Sequence, residues 1–98
     1  DKSKCNFNSK GTAPVAQYPQ GASPYGVMDM SGNVLEWCFT SYDKGNIPLK
    51  DAVDGSTYVL CGGSWWNSDS SNMCVDVRFR YNTNFGSDDG GVRLACSQ

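Results

Sequence analysis

Two carboxylates flank a glycine turn near the middle of the chain. Asp29, Gly32, Val34 and Glu36 fall within eight residues. A hard cation is held by oxygen atoms that converge from a short, kinked backbone. Two carboxylates would supply charge there, and turn carbonyls would fill the remaining positions. The residues alone leave a second interpretation open, in which Asp29 caps a turn and Glu36 pairs with an arginine. The arginines available for that pairing are Arg78, Arg80 and Arg93.

Glu36 is the only glutamate of the chain, and it stands between Leu35 and Trp37. An ionised carboxylate in an apolar strand is costly unless a positive charge neutralises it. The sequence therefore predicts either a metal ion or a guanidinium beside Glu36.

Residue types needed for many other chemistries are missing. The chain has no histidine, so these residues cannot form a Ser-His or Cys-His dyad or a histidine-bound zinc site. Its five cysteines show no CxxC spacing, which argues against a zinc or redox motif. Cys38, Cys61 and Cys96 lie in apolar strand-like runs and are either buried thiols or members of one or two disulfides in an exported protein.

Residues 67–89 use a restricted set of amino acids, without Lys, Glu, Gln or His. Small polar residues mixed with Tyr and Phe are typical of recognition surfaces, because aromatic rings give rigid contact area and Ser, Asn and Asp give adaptable hydrogen bonds. The alternative is that this segment forms two solvated loops without a partner.

Short strands must position these residues. Alternating or apolar runs predict strands at residues 33–39, 58–61, 75–80 and 91–96, and no window has a helical period. At 98 residues the chain is one domain at most, with a thin core, and it looks like the C-terminal half of a larger α+β domain. The net charge of −2 argues against nucleic acid, and no apolar run is long enough to span a membrane.

Four motifs resemble one known family. Residues 25–37, YGVMDMSGNVLEW, are similar to the GLYDMxGNVWEW signature of the sulfatase-modifying factor, or formylglycine-generating enzyme, family. Residues 11–15, 59–65 and 91–95 resemble its other conserved segments in the same order. The resemblance implies an α+β, C-type lectin-like fold, rich in loops, with short antiparallel strands. Residues 1–98 would be the C-terminal part of one such domain, with the N-terminal half as a partner.

The resemblance also bears on cofactors and catalysis. It implies calcium bound by the side chains of Asp29 and Glu36 and the backbone oxygens of Gly32 and Val34. The family's oxygen-dependent enzymes use two cysteines, which correspond here to Asn67 and Asn72, so we expect no catalysis from these residues. The alternative is a sulfatase-modifying factor or iron-dependent oxidoreductase whose catalytic residues lie outside this chain.

The same fold resembles the variable proteins of diversity-generating retroelements, in which adenine-directed mutagenesis rewrites the C-terminal segment, about residues 65–93 here. Such mutagenesis cannot reach Lys, Glu, Gln, Met or Trp from Asn-type codons. About five of these would be expected by composition between residues 67 and 92, and only Met73 occurs. The resemblance thus implies a non-enzymatic module that binds a protein or other surface ligand, at a cell surface, secreted or carried by phage. The predicted contact residues are Trp66, Ser68, Asp69, Ser71, Asn72, Tyr81, Asn82, Asn84, Phe85, Ser87 and Asp88.

Overall fold

A computed structural model describes residues 1–42, 45–46, 57–84 and 86–96. The strands are β1 (Leu35–Ser41), β2 (Gly45–Asn46), β3 (Thr57–Cys61), β4 (Phe79–Asn82) and β5 (Gly90–Gly91). Two short 3-10 helices, Pro19–Gly21 and Ser70–Met73, are the only helical elements within these ranges. The domain is therefore mostly strand and loop, and its described part contains no counterpart of the helices that an α+β fold implies.

The strands form one sheet in the order β2-β1-β3-β4, with β5 added in parallel to β1. The pairs within the main path are antiparallel. Trp37 lies opposite Leu60, and Leu60 lies opposite Phe79. Because opposite side chains point to the same face, these residues share one face, whereas Glu36 and Cys61 share the other.

The observed strands differ in part from the predicted ones. β1 and β3 confirm the strands predicted at 33–39 and 58–61. The strand predicted at 75–80 begins only at Phe79, and Val75 is 96% exposed, because the chain makes a turn at residues 75–76 before it reaches the sheet. The last strand is reduced to Gly90–Gly91.

The core is small, as expected for a short chain. Leu35, Tyr58, Val59 and Leu60 form its centre and are at most 7% exposed. Phe7 of the N-terminal segment is also buried. A core of this size makes the hydrogen bonds between loops important for holding the backbone.

One turn connects several loops. The side-chain oxygen of Asn33 accepts hydrogen bonds from the backbone N–H of Ala13 at 2.8 Å and from Asn6 Nδ2 at 3.1 Å. The Asn33 carbonyl accepts from the Trp65 N–H, and the Gly32 N–H donates to the Gly62 carbonyl. Gly32 has φ +79° and an added Cβ would lie 2.6 Å from the Asn6 carbonyl oxygen, so only glycine fits there.

Candidate functional site

Arg93 joins the end of the chain to the turn before β1. Its Nε lies 3.0 and 2.9 Å from the two carboxylate oxygens of Glu36. Its Nη1 donates to the Met28 carbonyl at 2.9 Å and its Nη2 to the Asp29 carbonyl at 3.0 Å. Hydrogen bonding to Glu36 raises the pKa of Arg93. We call this group the arginine clamp; it supplies the positive charge that Glu36 requires.

The predicted calcium ligands lie around the same clamp. Asp29, Val34 and Glu36 line a cavity of about 320 Å³ together with Arg93, and Gly32 lies in the turn between them. The residues fit a calcium ion in part, because an ion would have to share the Glu36 carboxylate with the guanidinium. Within the described ranges, no three His, Cys, Asp or Glu side chains come together to hold a metal. Backbone carbonyls would therefore have to supply most of the six to eight oxygens that calcium takes.

Two adjoining cavities lie on the opposite face of the sheet. The first, of about 310 Å³, is lined by Leu35, Trp37 and Leu60 among others. The second, of about 210 Å³, is lined by five residues, and three of them also line the first. We call the two together the groove. The residues of the second cavity are Trp66, Tyr81, Ser87, Asp88 and Asp89.

Four of the predicted contact residues therefore meet at the groove. Trp66 is 70% exposed, Tyr81 is half-buried in β4, and Ser87 and Asp88 are exposed. Exposed aromatic surface beside a cavity is typical of binding sites. The sequence-based prediction placed these residues on one surface, and the structure brings them together.

The remaining predicted contact residues lie in two other segments. One group surrounds the 3-10 helix Ser70–Met73, where Asp69 caps the helix by accepting from the Ser71 N–H at 2.9 Å, which lowers the pKa of Asp69. The other follows β4, where the Asn84 N–H donates to Asn82 Oδ1. Most of these side chains are exposed, and Phe85 lies outside the described residues. Together the two groups contain Ser68, Asp69, Ser71, Asn72, Asn82 and Asn84.

The sequence analysis did not predict a functional role for Asp89. Its Oδ2 accepts a hydrogen bond from Ser64 Oγ at 2.8 Å, its Oδ1 accepts from Ser87 Oγ, and its carbonyl accepts from the Leu35 N–H. Ser64 is fully buried. Asp89 thus ties the Gly-Gly-Ser segment, β1 and the rim of the groove together; the partners are 25 residues apart in sequence, so no local pattern could have revealed it.

Asn67 and Asn72, where the family resemblance would place catalytic cysteines, make hydrogen bonds to the backbone. Asn67 Oδ1 accepts from the Ser64 N–H at 2.8 Å and closes the turn after the Gly-Gly-Ser segment. Asn72 donates its N–H to the Asp69 carbonyl inside the 3-10 helix. Neither side chain is a nucleophile or a soft metal ligand.

Among the described residues, Cys5, Cys38, Cys61 and Cys74 are not joined by disulfides. Cys38 and Cys61 are half-buried, which agrees in part with the buried thiols predicted from sequence. Cys96 is exposed, so the buried-thiol alternative does not hold there, because the chain leaves the sheet after Gly91. Cys5 is buried instead, and burial raises the pKa of its thiol.

The described residues form a small, mostly-strand sheet whose loops are tied to one turn by hydrogen bonds. The chain belongs to the sulfatase-modifying factor enzyme 1-like domain family, which matches residues 2–98. It is 38% identical over 103 residues to the serine/threonine-protein kinase pkn1 of Chlamydia caviae, covering 97% of this chain and 16% of that protein. It is 33% identical over 101 residues to the inactive C-alpha-formylglycine-generating enzyme 2 of Bos taurus, covering 97% of this chain and 29% of that enzyme.

A solved structure supports the same assignment. The Treponema denticola variable protein 1 superposes with a TM-score of 0.69 and 25% identity, over 93% of this chain and 35% of that protein. The chain thus spans between about a sixth and a third of the length of these relatives. No helix within the described residues has the length and apolarity needed to cross a bilayer.

Proposed function

We propose that this domain is a non-enzymatic binding module whose C-terminal loops form a diversified ligand-binding surface. The observation that carries the proposal is the groove, where four residues of the variable segment, Trp66, Tyr81, Ser87 and Asp88, surround one cavity. The likeness to a protein named for its variability supports it, as does the family's inclusion of a relative named as inactive.

The physical basis is a division of labour between backbone and side chains. Asn33, Ser64 and Asp89 hold the backbone below the groove through hydrogen bonds between segments distant in sequence. Exposed side chains on such a frame can change at a cost below about 0.5 kcal/mol. A backbone that is already ordered also loses less entropy when a ligand binds.

The groove favours a macromolecular ligand. A flat aromatic, Trp66, stands beside an apolar cavity and an exposed carboxylate, Asp88. Such a surface suits a protein or other cell-surface ligand that presents an apolar group next to a polar or cationic one. A module with this task would be displayed at a cell surface, secreted or carried by phage.

We further propose that these residues form part of a complete C-type lectin-like domain that also has an N-terminal half. Val75, Leu94 and Tyr25 are more than 90% exposed, which is unusual for apolar and aromatic side chains unless another surface covers them. These exposed side chains support packing against a further part of the domain.

Calcium is a further part of the proposal. An ion bound by the Asp29 and Glu36 side chains and the Gly32 and Val34 carbonyls would add to the arginine clamp and stiffen the turn before β1. The shared cavity that contains Asp29, Val34 and Glu36 supports this site. Its ligands would come from the turn that also connects the loops through Asn33.

The DNA beside the coding sequence gives the sharpest test. A near-copy of the segment that encodes residues 61–96, differing only at adenines and lying beside a reverse transcriptase, is the expected result. A coding sequence without such a copy, preceded by a histidine-rich half with oxidoreductase activity, would contradict the proposal and favour the enzyme alternative.

A further inference from the structure

Two thiols of neighbouring strands lie in contact on the face of the sheet opposite the groove. Cys38 of β1 and Cys61 of β3 are 23 residues apart in sequence, and their sulfur atoms are 3.3 Å apart. Both residues are half-buried, and neither is joined to another cysteine. Neither stands at position 67 or 72, where the family resemblance would place catalytic cysteines. The pair is thus a feature of this chain separate from the positions of the family's catalysis.

The sheet brings the two cysteines side by side because β1 changes register against β3. At one end of this strand pair Glu36 lies opposite Cys61. At the other end Ser41 lies opposite Tyr58, and the strand is irregular between these two pairs. Counting back from Ser41 places Cys38 opposite Cys61, in agreement with the contact between their sulfur atoms. Directly opposite residues of antiparallel strands have Cα atoms about 4.5–5.5 Å apart, within the range of about 4.4–6.8 Å that disulfides use.

We propose that Cys38 and Cys61 form a disulfide under oxidising conditions, and that this bond is a redox-dependent cross-link between β1 and β3. To form it, the sulfur atoms must close from 3.3 Å to about 2.0 Å. Rotation about the two Cα–Cβ bonds can supply a movement of this size. Because both thiols are only half-buried, they remain accessible to a small oxidant.

The oxidant is a second disulfide, such as glutathione disulfide or the disulfide of an oxidoreductase, and the reaction is thiol–disulfide exchange. The Cys38 thiol donates a hydrogen bond to the Cys61 sulfur, so Cys61 presents the acceptor sulfur of the pair and makes the first attack. It loses its proton to solvent, attacks the oxidant and releases one thiolate, which leaves a mixed disulfide. Cys38 then loses its proton and attacks the Cys61 sulfur, and the second half of the oxidant leaves as a thiolate. Two protein thiols are thus oxidised, and one oxidant disulfide is reduced to two thiols, which take up the two protons.

The surroundings of Cys38 make the exchange depend on pH. Burial, followed by the hydrogen bond to Cys61, raises the pKa of Cys38 to about 11. The positive charge of Arg78 acts in the opposite direction, and Glu36 adds a small further increase. Only the thiolate attacks a disulfide. Formation of the bond should therefore become faster as the pH rises.

The cross-link joins two strands that also form walls of the groove. Trp37 and Leu60, the chain neighbours of the two cysteines, lie opposite each other and line the first cavity on the other face of the sheet. A covalent link between β1 and β3 removes conformations from the unfolded chain and so stabilises the folded sheet. The walls of the groove are therefore held more firmly in an oxidising compartment than in a reducing one.

The test compares the full chain after reduction with a phosphine and after exposure to glutathione disulfide. We expect oxidation to raise Tm by at least about 10 °C. Cyanogen bromide cleaves after Met73 and separates Cys74 from Cys61, and trypsin then separates Cys61 from Cys38. A mass spectrum of the oxidised digest should contain peptides 31–44 and 51–73 joined by a disulfide.

Matched variants separate this pair from the other thiols. Cys74→Ser/Cys96→Ser removes two exposed thiols and should keep both the linked peptides and the rise in Tm, whereas Cys61→Ser should lose both. If Cys61→Ser fails to fold, the parent chain oxidised and then reduced again gives the same comparison without a substitution. The proposal is overturned if oxidation leaves glutathione on Cys38 or Cys61 instead of a bond between them, if the bond joins Cys61 to Cys74, or if Tm is equal in the two states.

Discussion

Replacing Asp89 with Ala tests whether hydrogen bonds between distant segments hold the backbone below the groove. The change removes the acceptor of a fully buried hydroxyl, Ser64 Oγ, which lies 2.8 Å from the carboxylate. A hydrogen bond to a charged group contributes about 1.5–3 kcal/mol, and Asn67 Oδ1, 3.3 Å from the same hydroxyl, stays as its second acceptor. We therefore expect the free energy of unfolding to fall by about 2 kcal/mol, which for a domain of this size lowers Tm by about 8 to 16 °C.

The assay is thermal unfolding followed by circular dichroism, with Asp88→Ala as the matched control. Asp88 is the neighbouring, exposed carboxylate at the rim of the groove, so its removal should change stability by less than about 0.5 kcal/mol. A Ser64→Ala/Asp89→Ala double variant should lose less than the sum of the two single variants, because they share one interaction. Equal effects of Asp88→Ala and Asp89→Ala, or strictly additive losses, would refute the reasoning.

Other parts of the molecule give further expected outcomes. Trp66→Ala should weaken binding of a ligand selected by display about 30-fold, or roughly 2 kcal/mol, with Tm unchanged; a lowered Tm with binding retained would contradict it. Arg93→Met should lower the free energy of unfolding, measured by chemical denaturation, by about 2 kcal/mol, whereas Arg80→Met should lower it by less than about 1 kcal/mol. If calcium binds, a chelator should lower the Tm of the parent chain. The pKa of Cys38 is raised to about 11 in the folded state, so the folded chain keeps a proton that the unfolded chain releases. The free energy of unfolding should therefore fall as the pH rises from about 9 to about 11. Cys38→Ser should flatten this dependence on pH, and an unchanged dependence would refute that cause.

The sequence predicted those parts of the fold that are determined by neighbouring residues. β1 follows from the apolar run after Gly32, and β3 from the apolar run that Gly62 ends. The need of Glu36 for a positive partner follows from its apolar neighbours. The choice of Arg93 among three arginines does not follow, because it depends on β5 pairing beside β1. The start of β4 was missed because alternation at residues 75–80 continues through turns that do not enter the sheet.

The candidate site could likewise be predicted only in part from the sequence. Trp66, Tyr81, Ser87 and Asp88 could be predicted as surface residues from composition. The groove that unites them could not, since its walls come from four strands, β1, β3, β4 and β5, and from the loop before β5. Asp89 looks like its neighbour in sequence and differs only in its burial and its partners. Calcium binding and the ligand stay predictions.

A paired display experiment tests the division between frame and face most directly. One library randomises four exposed positions of the predicted face, Trp66, Ser68, Asn84 and Asp88; the other randomises four frame positions, Gly32, Asn33, Ser64 and Asp89. Resistance to a protease reports the folded fraction of each library. We predict that most face variants resist cleavage as the parent does and that few frame variants do; equal loss of resistance in both libraries would contradict a binding surface carried on an independent frame.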